Sequence, residues 1–210
     1  MTDTPTDSQT CEILLTRHGR TEWNMTRKRQ SHRQVPLDEV GHAMAAALAE
    51  SATIAGLAAI YTSDLARAVQ TAEPVGRKLG LPVHEDMRLR EVRGTPSPSD
   101  EYENLPFHVD RETNDQVRQR AVECIEEIAD NHPGQRVMAV SHGGTTKEIL
   151  KMICGDEEFE HAFNQRPSIT NTAINHLRRN GEGQWSVVRF WDIDHLANFD
   201  MSLVTSSDTG

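Results

Sequence analysis

Two histidine-centred segments contain the residue types best suited to chemistry. The segment LTRHGRTEWN places Arg17 directly before His18, after a short apolar run. The segment AVSHGG places His142 after a second apolar run. Each pattern is typical of a buried strand that ends at a histidine followed by glycine. Because open α/β sheets bind ligands at the carboxyl ends of their strands, we expect both imidazoles in one pocket.

The residues around these histidines favour phosphoryl transfer. A neutral imidazole is available near pH 7 as a nucleophile, and guanidinium groups match the geometry of phosphate oxygens. We therefore interpret His18 as a nucleophile, with Arg17 and Asn24 as phosphate donors. His142 would donate to the same phosphoryl group together with the amide of Gly143, since helix starts bind anions.

Two charged residues complete this hypothesis. Arg67 falls in the first turn of a predicted helix, where the macrodipole disfavours a cation. We therefore expect a bound anion to balance its charge. Glu91, in the segment LREVRG, is the candidate proton donor for the leaving group. Each residue alone also fits a plainer interpretation. His18 would then be a core histidine, His142 a turn residue, and Arg67 and Glu91 solvated surface charges.

A basic segment, residues 27–33, stands out in a chain whose formal net charge is -10. We interpret it as a rim that attracts a multiply charged phosphate, although a solvated loop is the alternative. The candidate rim residues are Arg20, Thr21, Arg27 and Lys28. The overall acidity and the lack of interleaved aromatics argue against binding to nucleic acid or an anionic membrane.

The length and composition limit the number of domains and the class of protein. A chain of 210 residues fits one α/β domain, or alternatively two small ones. The scattered cysteines at positions 11, 124 and 154 form no Cys-x-x-Cys pair, which favours reduced thiols in a cytoplasmic protein. The histidines show no metal-ligand spacing, so we expect no metal or other cofactor. No segment predicts a signal peptide or a membrane span.

The hydrophobic patterning predicts alternating strands and helices, hence a mostly parallel mixed sheet with helices on both faces, a three-layer α/β sandwich. The predicted strands are residues 12–16, 57–61, 82–84, 136–141, 173–177 and 185–191. The predicted helices are residues 41–50, 65–79, 113–131 and 144–153. Asp38 is the predicted N-cap of the first, residues 62–64 offer the N-cap of the second, and Gly80 is expected to end the second. We expect a disordered leader over 1–10, a single domain over 11–200 and a flexible tail over 201–210. Residues 17–37 form a polar loop, and 94–106 a mobile flap.

The chain resembles the histidine phosphatase superfamily, specifically its phosphoglycerate mutase-like branch. The resemblance is carried by LTRHGRTEWN, YTSDLARAVQTA, LREVRG and VSHGGT. It implies the fold predicted above and a metal-independent reaction in which His18 becomes phosphorylated. It also implies that Arg17, Arg67 and His142 surround the phosphoryl group with help from Asn24. Glu91 would act as the acid for the leaving group and then as the base for water.

The function implied is a phosphatase acting on small phosphorylated metabolites. Two alternatives remain open at this point: a cofactor-dependent phosphoglycerate mutase and a catalytically silent protein that binds phospholigands. The sequence departs from the family pattern at Ser31, Gln34 and residues 94–98. We therefore expect the substrate pocket of this chain to differ from the family pattern. A homodimer is a possible assembly.

Overall fold

The computed structural model describes residues 9–94, 111–165 and 170–200. Its described strands form a six-stranded sheet in the order β3-β2-β4-β1-β5-β6. They are β1 (Cys11–Arg17), β2 (Leu57–Thr62), β3 (Val83–Glu85), β4 (Arg136–Ser141), β5 (Ile174–Arg179) and β6 (Trp185–Asp192). The first four run parallel to one another, β5 runs antiparallel to β1, and β6 pairs antiparallel with β5. The prediction of a mostly parallel mixed sheet is confirmed.

The helices cover this sheet on both faces. They are α1 (Glu22–Met25), α2 (Glu39–Glu50), α3 (Ala66–Leu79), α4 (Asn114–Asn131), α5 (Gly143–Cys154) and α6 (Asp156–Gln165). Successive strand residues point to opposite faces, so a strand buried on both faces serves two cores. In β1, Ile13 and Leu15 pack in the core that contains residues of α4, α5 and α6. Leu14 packs in the other core, against residues of α2 and α3.

Two helix predictions are confirmed, because the residues that begin or end these helices are adjacent to them in sequence. Asp38 caps α2 by accepting a hydrogen bond from the Gly41 amide at 2.8 Å. Gly80 ends α3 in the left-handed region at φ 68°, which glycine adopts without steric cost. The predicted cap of α3 within residues 62–64 is wrong, since Leu65 occupies that position and provides no side-chain cap.

The described residues contain two α-helices that the patterning did not predict, α6 and the short α1. Helix α6 follows Gly155 and has three acidic residues in its first turn. Its Phe159 is buried and stacks with Phe163, four residues later, at a centroid distance of 5.5 Å. The polar loop predicted over 17–37 also contains α1, which Thr21 caps.

Parts of the predicted terminal and flap segments lie outside the described residues. These parts are residues 1–8, 95–106 and 201–210. Thr10, which we expected within the leader, is buried beside the start of β1.

Candidate active site

A cavity of about 470 Å³ opens at the carboxyl ends of the parallel strands. Strand β1 ends at Arg17 and leads directly to His18, while the neighbouring β4 ends at Ser141 and leads to His142. The two imidazole centroids lie 5.1 Å apart, and both rings are buried. Parallel pairing of β1 and β4 therefore brings together two histidines that are distant in sequence.

The ring of His18 is oriented by its own loop. Its Nδ1 lies 2.7 Å from the carbonyl oxygen of Gly19. Because a carbonyl oxygen only accepts hydrogen bonds, Nδ1 carries the proton and Nε2 keeps its lone pair. His18 lines the cavity, so this tautomer makes Nε2 the nucleophilic atom.

Burial keeps both imidazoles neutral. Desolvation lowers the pKa of His18 well below 6.5, and the nearby charges of Arg67 and Arg17 lower it further. Desolvation likewise lowers the pKa of His142, followed by the charges of Arg67, His18 and Arg17. A neutral His18 suits nucleophilic attack at neutral pH.

The backbone beside His18 is fixed by a segment that our site hypothesis did not include. Asn171 Nδ2 donates to the carbonyl oxygens of His18 and Gly19 at 2.9 and 3.3 Å. The Thr172 amide donates to the Arg17 oxygen at 3.0 Å, and Thr172 has φ 58°. The sequence segment NTA signals a turn, but only the antiparallel pairing of β5 with β1 brings it to this loop.

Arg67 is buried, so the interpretation as a solvated surface residue is wrong. Its Nη1 donates to the Arg33 carbonyl at 3.0 Å and its Nη2 to the Ser31 carbonyl at 2.9 Å. Its Nε makes no hydrogen bond within the described residues. Burial lowers the pKa of Arg67 to about 10, with Glu91 opposing and Arg17 reinforcing the shift. The guanidinium remains charged at neutral pH, and its Nε edge is available to an anion.

His142 is the N-cap residue of α5. Neither of its ring nitrogens has a hydrogen-bond partner among residues 9–94, 111–165 and 170–200. Leaving buried polar atoms unsatisfied costs about 1–3 kcal/mol each, which a phosphoryl oxygen in contact with the ring would offset. Gly143, the next residue, lines the cavity, whereas His142 is buried and is not itself a lining residue.

The following two amides of α5 bind Glu91 and are not available to an external anion. Its carboxylate accepts from the amides of Gly144 and Thr145, each at 3.2 Å, and from Val92 at 2.8 Å. A Cβ at Gly144 would lie only 2.6 Å from the same carboxylate, so the close approach requires glycine. The start of α5 therefore positions the candidate acid.

Long-range contacts hold the backbone of Glu91. From α4, Arg120 donates to the carbonyl oxygens of Arg88, Arg90 and Glu91 at 2.7–3.1 Å. The same guanidinium forms an ion pair with Glu112. Arg120 therefore acts as a positioning residue, because it supports the segment that carries the acid without lining the cavity itself.

The basic loop also contacts this segment. His32 Nε2 donates to the Glu91 carbonyl at 2.7 Å, and Ser31 Oγ accepts from the Gly94 amide at 3.1 Å. Burial lowers the pKa of His32. The loop that we interpreted as a rim is thus bonded to both Arg67 and the acid.

The candidate rim residues divide into two groups. Arg27 and Lys28 line the cavity. The other two do not, which corrects their placement at the rim. Arg20 forms an ion pair with Asp38 at 2.8 Å, and Thr21 caps α1 through the Asn24 amide.

Asn24 itself lines the cavity and is buried. Its Oδ1 accepts from the amide and hydroxyl of Thr21, each at 3.0 Å. Its Nδ2 group is then the part of the side chain suited to a phosphoryl oxygen.

The cavity is also lined by Arg29, Gln30 and Arg33 of the basic segment that we interpreted as a rim, and by Val92 of the segment LREVRG. The lining residues that come from outside these segments are Arg111, Asn114, Lys147, Glu148 and Phe163. Among residues 9–94, 111–165 and 170–200, eight cations and two carboxylates line the cavity. This excess makes it a positive site within an acidic chain, which favours an anionic ligand.

Two features are absent from the described part of the chain, a metal-binding cluster and a membrane-spanning helix. It contains no cluster of three or more His, Cys, Asp or Glu side chains able to hold a metal ion. Among its helices, none combines the length and apolarity required to cross a membrane.

Comparisons with known proteins agree with the geometry. Residues 13–193 match the family model described as histidine phosphatase superfamily (branch 1). Phosphoglycerate mutase-like protein 4 of Arabidopsis thaliana is 29% identical, covering 90% of this chain and 89% of that protein. A metal-independent phosphoserine phosphatase of the same plant is also 29% identical, covering 93% and 87%. The solved structure of Bacillus stearothermophilus YhfR, 29% identical, covers 89% and 99% with a TM-score of 0.74.

Proposed function

Because this chain belongs to the histidine phosphatase superfamily, we propose that it is a metal-independent phosphatase of small phosphorylated metabolites. The reaction would proceed through a phosphohistidine at His18. One observation carries the proposal: Arg17, His18 and Arg67 line one cavity, and the buried ring of His142 lies 5.1 Å from that of His18. The similarity to a metal-independent phosphoserine phosphatase supports it.

The first half-reaction breaks the ester bond. Nε2 of His18 attacks phosphorus while the P–O bond to the leaving group breaks and the electron pair remains on oxygen. Glu91, in its protonated form, gives that oxygen a proton. Arg17, Arg67 and His142 stabilise the charge on the transferring phosphoryl oxygens, with Asn24 and the Gly143 amide as further donors.

The second half-reaction restores the enzyme. Glu91, now a carboxylate, accepts a proton from water, whose oxygen attacks phosphorus as the P–N bond to His18 breaks. Inorganic phosphate leaves, and the two residues return to their starting protonation states. The same donors serve both steps because the phosphoryl oxygens stay in one place.

A mutase is a second candidate, since similar proteins are named probable phosphoglycerate mutases. The shortness and acidity of residues 94–111 favour hydrolysis over mutase chemistry, because a bisphosphate must be retained between half-reactions. Incubation with 3-phosphoglycerate and catalytic bisphosphoglycerate separates the two. Rapid isomerisation with little free phosphate would establish the mutase, whereas phosphate release supports our proposal.

The decisive experiment traps the intermediate. A panel of phosphorylated metabolites is first screened for phosphate release, and the best substrate is then prepared with labelled phosphorus. We expect a brief incubation followed by rapid quenching to yield a phosphoprotein that is labile in acid and stable in base. Retained ligand binding without label would instead favour the silent phospholigand-binding alternative.

The His18→Ala variant should lose the label and at least about 10⁴-fold in kcat. His84→Ala is the matched control, because His84 is exposed on the edge strand β3 and lies outside the cavity lining. Full turnover in folded His18→Ala would exclude this mechanism.

We also propose a cytoplasmic location and, as possible assembly, a homodimer. The reduced-thiol interpretation supports the first, since Cys11 and Cys124 are buried and not joined in a disulfide. Fractionation of cells and the mass of the protein in solution test these proposals.

A further inference from the structure

Helix α5 carries two lysines one turn apart, and both lie over phenylalanines of α6. Lys147 Nζ is 4.8 Å from the ring centroid of Phe163, and Lys151 Nζ is 5.2 Å from that of Phe159. The two pairs have similar cation–π geometry, which fixes each ammonium beside an apolar ring. They therefore form an internal comparison within one helix pair.

The two lysines differ in their carboxylate partners. Lys151 Nζ lies 3.3 Å from Asp156 and 3.0 Å from Glu160. Lys147 forms no ion pair with any carboxylate in the described residues. Its neighbour Glu148 lines the cavity too, but the Glu148 carboxylate is bound by Arg118 at 2.9 Å. Within the described residues, carboxylates neutralise the charge of Lys151 but not that of Lys147.

Their positions relative to the cavity differ in the same way. Lys147 lines the cavity and Lys151 does not. Helix α5 begins at Gly143, beside the phosphoryl-binding residues, and Lys147 lies one turn further along the same face, about 6 Å along the axis. A cavity of about 470 Å³ falls in the range that accommodates whole small molecules, so it has room beyond a phosphoryl group.

We propose that Lys147, supported by the ring of Phe163, binds a second anionic group of the substrate. This group is a carboxylate or a second phosphate, attached to the carbon skeleton that bears the transferred phosphoryl group. The ring covers one side of the lysine stem and restricts the ammonium, so less conformational freedom is lost on binding. The inference rests on the proposed phosphatase function and narrows its substrates to phosphorylated metabolites with two anionic groups.

The test uses three aryl phosphates that differ only at the para position. These probes are 4-methylphenyl phosphate, 4-carboxyphenyl phosphate and 1,4-phenylene bisphosphate. For Lys147→Met we expect the KM of the two probes with a second anion to rise about tenfold, with kcat little changed. The KM of the methyl probe should not change. Comparing each variant with the wild type on the same probe removes differences in leaving-group reactivity.

Lys151→Met is the matched control, because it removes a lysine of the same helix with the same type of aromatic contact. It should leave all three KM values unchanged. A larger loss on the carboxylate probe would identify a carboxylate as the second group, and a larger loss on the bisphosphate would identify a phosphate. Equal effects of Lys147→Met on all three probes, or none on the charged pair, would overturn the subsite.

Calorimetric binding separates failure of the subsite from failure of the proposed function. The three probes are titrated into His18→Ala protein with and without Lys147→Met, so no turnover is needed. A tenfold loss of affinity confined to the probes with a second anion would support the subsite even if no probe were hydrolysed. Hydrolysis of all three probes without such a loss would retain the phosphatase and overturn the subsite.

Discussion

The two ends of β1 and β4 use charge in opposite ways. At the amino ends, Glu12 of β1 forms ion pairs with Arg136 of β4 and Arg178 of β5 at 2.7 and 2.9 Å. At the carboxyl ends, the same two strands lead to the buried rings of His18 and His142. There, among the described residues, the cations that line the cavity outnumber the carboxylates by eight to two. One pair of strands thus carries a neutralised end and an end whose positive charge is suited to an external anion.

The contrast shows that the ion-pair pattern distinguishes structural from functional cations in this chain. A cation whose carboxylate partner is supplied by the protein needs no ligand, and its removal affects mainly stability. A buried cation beside neutral imidazoles raises the free energy of the folded protein unless an anion balances its charge. Where that anion is a ligand, removal of the cation affects binding and turnover. The predictions below test this distinction, from the largest expected effect to the smallest.

The largest of these effects should be seen when one arginine at each end of the strands is replaced by methionine. Arg67→Met should lower kcat/KM about 10³-fold, because it removes a buried donor to the phosphoryl group. Arg136→Met removes a guanidinium from the opposite end and should leave kcat/KM unchanged. Steady-state kinetics on folded protein, verified by circular dichroism, measure both. Comparable losses in the two variants would show that the position of an arginine along the strands does not distinguish a functional role from a structural one.

The second effect concerns the start of α5. In Gly144→Ala the new methyl group would displace the Glu91 carboxylate, so kcat for an alkyl phosphate should fall about 10²-fold. The loss should be smaller with 4-nitrophenyl phosphate, whose leaving group departs without a proton. Gly143→Ala should lose less on the alkyl ester, because a Cβ there meets Arg17 only at 3.7 Å. Equal losses with both esters would contradict the role of Glu91 as the acid.

The third effect is a pH dependence of stability. Burial, then the arginine charges, holds the pKa of His18 and of His142 well below 6.5 in the folded protein. As pH falls through 6.5, the unfolded chain gains protons at these sites and the folded protein does not. Stability is therefore complete above pH 6.5 and declines below it, by at most about 1.4 kcal/mol per pH unit for each histidine.

Urea unfolding between pH 7.5 and 5.5 measures this decline. His142→Gln should reduce the slope by up to about 1.4 kcal/mol per pH unit relative to the wild type, because the protonation difference at His142 is removed. The exposed His84, changed to Gln, serves as the control and should leave the slope as it is. A slope that is the same in all three proteins would mean that His142 is not kept neutral by burial.

The smallest effect is expected at the neutralised end. Burial would raise the pKa of Glu12, but the hydrogen bonds and charges of Arg136 and Arg178 bring it below its usual value. Glu12→Gln removes these ion pairs near the surface and should cost only about 1 kcal/mol of unfolding free energy. The wild-type advantage is complete above pH 4.5 and disappears as pH falls further. A cost of several kcal/mol at neutral pH would show that this end also stores substantial electrostatic energy.

Local patterns account for most of the fold. Runs such as Ile13–Leu15 and caps such as Asp38 predicted strands and helix starts because their determinants lie within a few residues. Helix α6 was not predicted because its sequence is rich in acidic residues. The spacing of Phe159 and Phe163, four residues apart, is nevertheless typical of a helix. The same omission concealed Phe163 as a cavity residue.

The site was predictable only in part, because its remaining contacts are long-range. The motifs identified His18, His142 and Arg67, and strand pairing brought them together. No local pattern indicated that Arg120, from α4, would support the backbone of Glu91. Arg20 was misassigned because its positive charge suggested a ligand, whereas Asp38 lies 18 residues later and only folding pairs them.

The hydrogen bonds of Arg67 determine how a phosphoryl group can approach. Its two terminal nitrogens are already occupied by the carbonyl oxygens of Ser31 and Arg33, so the side chain cannot swing outward to meet an arriving ester. The ester must instead travel inward to a donor whose direction is set in advance. The position that a phosphoryl oxygen must reach is therefore fixed before the ester arrives, because the Nε edge of Arg67 does not move to meet it.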